Sequence, residues 1–122
     1  MTETNVVKVG VLGCGNVGAA LVALVQERGD EVAARTGTTL EVAKVAVRSL
    51  ARKRPVHLDE SILTREAAEV VADPEIDVVV EVIGGIEPAR ELILAALANG
   101  KPVVTANKEL LANHGAELFA AA

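Results

Sequence analysis

The 122-residue chain is 51% hydrophobic and 24% charged, a balance that fits one globular domain with its own core and excludes a disordered chain. Its net charge of −5 argues against a duplex binder, which needs a basic face to neutralise phosphates, and its one cysteine cannot form an internal disulfide. With one Phe and no Trp or Tyr, the core must come from Val, Leu, Ile and Ala, the residues of strands covered on both faces, and no aromatic platform exists for stacking bases. No charged-then-apolar leader and no apolar run of about 18 residues is found, so a cytoplasmic protein with small-molecule ligands, no nucleic acid and no membrane partner is expected.

From the N-terminus, Val6 to Leu12 (VVKVGVL) is β-branched, apolar and ends in glycines, which predicts a buried first strand. Asn16 to about Arg35 carries Val17, Leu21, Leu24 and Val25 at helical spacing, with Gly29 as a break between two helical pieces and Thr36-Gly37-Thr38 as the closing turn. Leu40 to Val47, with Val42, Val45 and Val47, reads as a second strand, and the basic stretch Arg48 to Arg54 before Pro55 as a loop. Thr64 to Asp73 predicts a modest helix with Thr64 as N-cap, closed by Asp73-Pro74. Ile76 to Ile83 (IDVVVEVI) is the clearest strand, bounded by Pro74 and Gly84-Gly85. Pro88 to Asn99 follows as a helix with proline in its first turn, Leu92, Ile93, Ala96 and Leu97 inward and Gly100 as its stop. Pro102 to Thr105 makes a fourth strand, and Lys108 to about Ala121 a last helix bearing Leu110, Leu111, His114 and Leu118.

Strands alternate with helices and every strand-to-strand step is long enough for a crossover. The expected fold is therefore α/β, a Rossmann-like parallel sheet with helices on both faces, forming one domain over residues 1–122. Four strands fall short of the six in a full dinucleotide fold, so the chain reads as a truncated nucleotide-binding domain, the front part of something longer.

Gly13-Cys14-Gly15-Asn16-Val17-Gly18 satisfies GxGxxG, a loose pattern by itself. Here it follows a predicted strand and opens a predicted helix, which aims backbone N–H groups and the helix dipole at a pyrophosphate; the plain alternative is a strand-to-helix turn. An NAD site places an acidic residue about 20 positions further on, at the end of the second strand. This chain has Arg48 there, 30 positions after Gly18, trailed by Arg52, Lys53 and Arg54. Guanidinium groups suit the 2′-phosphate of NADP, so NADP is expected ahead of NAD, with a solvated charged loop as the alternative.

Glu81, Gly84 and Gly85 fall at the carboxyl end of the third predicted strand, where open α/β sheets bind ligands. Glu81 is equally readable as a ligand-facing group or as a paired structural carboxylate. Lys108 opens a helix at the same rim, where a cation is locally unfavourable, which points to a task at the nicotinamide or at a carbonyl substrate; a solvent-pointing lysine is the alternative. Cys14 reads as a small packed residue, and His57 and His114 lack companions at ligand spacing, so no metal site is expected.

The segments Val78-Val79-Val80-Glu81-Val82-Ile83-Gly84-Gly85, Pro88-Ala89 and Gly100-Lys101-Pro102-Val103-Val104-Thr105-Ala106-Asn107-Lys108 resemble the nucleotide-binding half of homoserine dehydrogenases. With Gly13 to Gly18 and Val45-Ala46-Val47-Arg48, the likeness covers nearly the whole chain. The resemblance implies NAD(P)-dependent interconversion of aspartate 4-semialdehyde and homoserine, on the route to threonine, methionine and isoleucine. By the same resemblance Gly13, Gly15, Asn16, Val17 and Gly18 hold the pyrophosphate and Arg48 the 2′-phosphate, while Gly84 and Thr105 lie by the nicotinamide. Lys108 contacts the cofactor or assists proton transfer. Family members continue into a substrate and dimerisation domain carrying a further catalytic lysine and aspartate, so the intact enzyme is expected to be a homo-oligomer and this chain to bind cofactor without turnover. Another NAD(P)-dependent semialdehyde or imine reductase, and a non-enzymatic nucleotide-sensing module, are the rival readings.

Overall fold

The buried half of the first strand, Val9 to Leu12, has apolar side chains or glycine on both faces, and such a strand needs neighbours on both edges and helices above and below. In the computed structural model, which describes residues 5–13, 15–47, 60–105 and 107–122, it gets all four. Strand β1 (Asn5–Leu12) lies between β2 (Thr38–Ala46) and β4 (Val78–Glu81); β3 (Leu63–Thr64) and β5 (Val103–Thr105) flank them in the order β3-β2-β1-β4-β5, every pair parallel. Four strands were expected and five are found. The addition, β3, has two residues, too few to show an alternating pattern, and it pairs with Val45 and Ala46.

Alternate residues of β1 serve opposite faces. Val9 and Val11 pack with Val45 and Val47 against Ala19 and Val22 of α1 (Asn16–Thr36). Leu12, Ala46 and Val79 pack on the other side against Val70 and Val71 of α2 (Ala67–Ala72) and Ala96 of α3 (Ala89–Ala98). α4 (Lys108–Ala121) lies on α3 through Leu110, Leu118, Ala89 and Ile93. The helices thus cover both faces of a parallel sheet, as the alternation of elements required.

Several local expectations are corrected. Helix α1 runs unbroken through Gly29, because one glycine costs a helix only about 1 kcal/mol and Glu31 pairs with both Arg28 and Arg35 across that stretch. It ends at Gly37, whose φ of 72° is the left-handed C-cap conformation. Its buried face is also rotated from the one predicted: Val17 is 64% and Leu24 54% exposed, while Ala19 and Val22 are buried. Gly18 and Ala19 face inward, Gly18 so near the preceding turn that a Cβ on it would stand 2.5 Å from Gly13 O, and Val17 faces out. Thr64 belongs to β3, and the N-cap of α2 is Glu66; the Thr64 hydroxyl still accepts the Glu66 N–H at 3.0 Å. Pro88 is the N-cap of α3 rather than a helical residue, and α4 is kinked at His114 (φ −133°, ψ 17°), leaving Leu111 exposed.

The amino ends of the strands are fastened by a buried cation. Lys101, 6% exposed, donates from Nζ to the carbonyl oxygens of Asp73 (2.6 Å) and Ile76 (2.9 Å), and Asn99 Nδ2 donates to Val71 O at 2.8 Å. Both reach from the turn between α3 and β5 to the end of α2, where orphaned carbonyls need donors. Asp73 Oδ2 lies 3.1 Å from Lys44 Nζ. The Glu75 N–H donated to Asp73, and then Lys44, hold the Asp73 carboxyl below the usual carboxylate range.

Candidate cofactor-binding site

The strand order reverses direction between β1 and β4, and in open parallel sheets the crevice outside the carboxyl ends at such a reversal is where ligands enter. Leu12 and Glu81, the last residues of β1 and β4, are paired there, and the glycine turn leaves directly from Leu12. Gly13 N–H donates to Ala46 O at 2.9 Å, so the turn starts while still bonded to the sheet.

Gly13 has φ +98°, and a Cβ on Gly18 would stand 2.5 Å from Gly13 O, a backbone atom with no freedom to retreat. These two glycines let α1 begin hard against the strand. Gly15, the N-cap, differs: a Cβ there would meet no atom within 4 Å. Gly15 has no side chain with which to cap α1, the first turn holds no acidic residue, and the first helical bond runs from Ala19 N–H to Gly15 O at 2.9 Å. The earlier N–H groups of the turn, from Asn16 to Gly18, have no carbonyl four residues back within the helix, and they carry the positive end of its dipole. Open space over Gly15, beside uncapped amide donors, fits a bridged diphosphate.

The other side of the crevice is built around Glu81, which is fully buried. Its Oε1 accepts the N–H groups of Ile83 (2.9 Å) and Gly84 (3.1 Å), and its Oε2 accepts the Thr105 hydroxyl at 2.6 Å. The two readings of Glu81 are thus decided for a structural carboxylate, satisfied by dipoles. Gly84 and Gly85 both have positive φ, 83° and 72°, and both are exposed. Thr105 Oγ1 also accepts the Asn107 N–H at 3.0 Å.

Asn107 is the residue that motif reasoning overlooked. Its Oδ1 accepts the Leu110 N–H at 3.1 Å as the N-cap of α4, and its Nδ2 donates to Gly85 O at 2.6 Å. An Asn directly before a helical apolar run was the signal that could have found it. Lys108 follows as the first residue of α4, exposed at the same rim, and its ammonium has no hydrogen bond or ion pair to another described residue. The fold therefore gathers Gly13, Gly15, Asn16, Val17, Gly18, Gly84, Thr105 and Lys108 at the carboxyl edge of β1, β4 and β5. Arg48, Cys14 and His57 lie outside the described residues. Among the described residues no cluster of His, Cys, Asp and Glu could hold a metal ion, and no helix is long and apolar enough to cross a membrane.

A parallel sheet in this order, with an uncapped glycine turn at its reversal point, defines a dinucleotide-binding domain of the Rossmann type. The family model described as the NAD-binding domain of homoserine dehydrogenase matches residues 13–122, and the chain belongs to that family. It is 43% identical over 116 residues to a homoserine dehydrogenase of Bacillus subtilis and 48% identical over 118 residues to one of Corynebacterium glutamicum, covering 95% and 97% of this chain. A crystal structure of a homoserine dehydrogenase from Thiobacillus denitrificans superimposes with a TM-score of 0.86 at 44% identity, over 99% of this chain and 28% of that one. The chain spans about a quarter of the length of the curated relatives, 27% and 26% respectively. The ligand class of this family's domain is a pyridine nucleotide.

Proposed function

We propose that this chain is the cofactor-holding domain, over residues 1–122, of an enzyme interconverting aspartate 4-semialdehyde and homoserine, with NADP used ahead of NAD. The observation that carries this reading is the start of α1 on a glycine N-cap with open space over Gly15. Gly13 and Gly18 bring the first-turn amides of Asn16, Val17 and Gly18 to the two phosphoryl groups. A bound nicotinamide would supply hydride chemistry between its ring and the carbon of the aldehyde or alcohol. Gly84 and Thr105 border that ring, and Lys108, an exposed ammonium at the rim, contacts the cofactor or holds a proton for the substrate oxygen.

The preference for NADP rests on the residues after β2. Ala46 and Val47 offer no carboxylate to ribose hydroxyls, and Arg48, Arg52, Lys53 and Arg54 follow them in sequence. Substrate contacts belong to the further domain of the intact, homo-oligomeric, cytoplasmic enzyme, so the isolated chain binds cofactor and does not turn over homoserine. Calorimetric titration of the chain with NADPH and NADH tests the reading: micromolar to submillimolar binding with NADPH the tighter is expected, and indifference to both nucleotides at millimolar concentration overturns it. Homoserine oxidation by the isolated chain would refute the claim about turnover.

A further inference from the structure

Glu81 is a fully buried carboxylate to which nucleotide binding by itself gives no task. A buried carboxylate is costly unless hydrogen bonds satisfy its oxygens. Among the described residues no cation pairs with it; its three partners are the Ile83 and Gly84 amides and the Thr105 hydroxyl. They come from two separate segments, the loop after β4 and the end of β5.

The bonds close on themselves. From Glu81 the path runs to Gly84 and along the chain to Gly85, whose carbonyl accepts Asn107 Nδ2. Asn107 N–H returns to Thr105 Oγ1, and Thr105 returns to Glu81. Direction matters in this ring. An ionised carboxylate only accepts and a backbone carbonyl only accepts, so the Thr105 hydrogen is committed to Glu81 and the Asn107 amide is fixed in one orientation. One lone pair on Thr105 Oγ1 is left, and toward a ligand this half-buried oxygen can accept but not donate.

We propose that Glu81 is the positioning residue of the nicotinamide end: by holding the Thr105 hydroxyl as donor, it turns the outward side of that oxygen into an acceptor matched to the NH2 of a carboxamide. The proposal rests on the pyridine-nucleotide reading and adds a basis for specificity. A ring bearing a carboxylate in place of the carboxamide brings an acceptor to an acceptor, beside a buried anion, and is rejected.

The test titrates the chain with NADP, with its nicotinic-acid analogue, and with 2′-phospho-ADP-ribose, which lacks the ring. For the unmodified chain a preference of about tenfold or more for the amide over the acid is expected. In Glu81→Gln the side-chain amide donates to Thr105 and frees the hydroxyl hydrogen to turn outward, so the preference falls to about twofold or less while the ring-less fragment binds as before. Thr105→Val loses the preference in the same way, and Thr105→Ser restores it. If Glu81→Gln fails to fold, the Val and Ser pair decides. An unmodified chain that binds amide and acid equally refutes the proposal alone; one that binds none of the three ligands refutes the cofactor reading and the proposal with it. Equal weakening of all three ligands in Glu81→Gln makes Glu81 a folding group only, and an undiminished preference in Thr105→Val also overturns the proposal.

Discussion

Replacing Gly15 with alanine separates binding from folding. A Cβ at that position meets nothing within 4 Å, and the backbone φ of −82° lies outside the left-handed region that favours glycine, so the free protein has no collision to relieve. The remaining cost is the poorer N-cap propensity of alanine, a few tenths of a kcal/mol up to about 1. In the complex the same methyl takes the space through which a phosphoryl oxygen reaches the first-turn amides. Loss of one charge-assisted hydrogen bond is worth about 1.5 to 3 kcal/mol, or roughly ten- to a hundredfold in affinity. Two measurements are needed, a denaturant melt without ligand and a calorimetric titration with NADPH. The expected pair is a nearly unchanged melt and a loss of at least tenfold in affinity. Wild-type affinity in Gly15→Ala would falsify the placement of the diphosphate over this turn.

Gly18→Ala behaves oppositely: its Cβ falls 2.5 Å from Gly13 O, so about 1 to 3 kcal/mol of stability is lost in the ligand-free melt as well as affinity. Arg48→Asp is expected to weaken NADPH about ten- to a hundredfold and NADH much less; equal losses in parallel titrations would remove Arg48 from the 2′-phosphate site. Lys101→Met strips donors from the buried carbonyls of Asp73 and Ile76 and should cost about 1 to 3 kcal/mol in a urea melt, with cofactor affinity unchanged because the lysine lies at the other end of the sheet. The Asp73 carboxyl titrates lower in the folded chain than its ordinary 3.8, so its contribution to stability is complete above that value and is lost as pH falls through the depressed one. In acid melts Asp73→Asn should flatten that part of the pH profile, and an unchanged acid limb would contradict the assignment.

Most of the frame was legible because it depends on patterns that survive without tertiary context. Within IDVVVEVI, between proline and glycines, the strand is the central Val78–Glu81, shorter at both ends than the pattern predicts, and VVKVGVL running into Gly13 placed the turn correctly. Misreadings arose where a distant contact set the outcome. Helix α1 turns Gly18 toward Gly13 O, a close approach that a periodicity count over Val17, Leu21, Leu24 and Val25 cannot register. Strand β3 exists only because Val45 and Ala46 offer it an edge, and Thr64 was taken from a helix by that pairing. At the site, glycines announce themselves by type, whereas the tasks of Glu81 and Asn107 come from partners more than 20 residues away, Thr105 and Gly85 respectively. Residue type told that Glu81 was unusual and not what it bonded.

The middle strand of the sheet is also the first in chain order. β1 supplies one edge to β2 and the other to β4, so among the described residues the strand pairing of the two halves of the sheet runs through residues 5–12. A shortened variant begun after Leu12 would not merely fray at an end; it would lose the strand that pairs β2 with β4. Each would carry a newly bare edge, open to joining other chains. A change anywhere in residues 5–12 is therefore felt at the centre of the sheet.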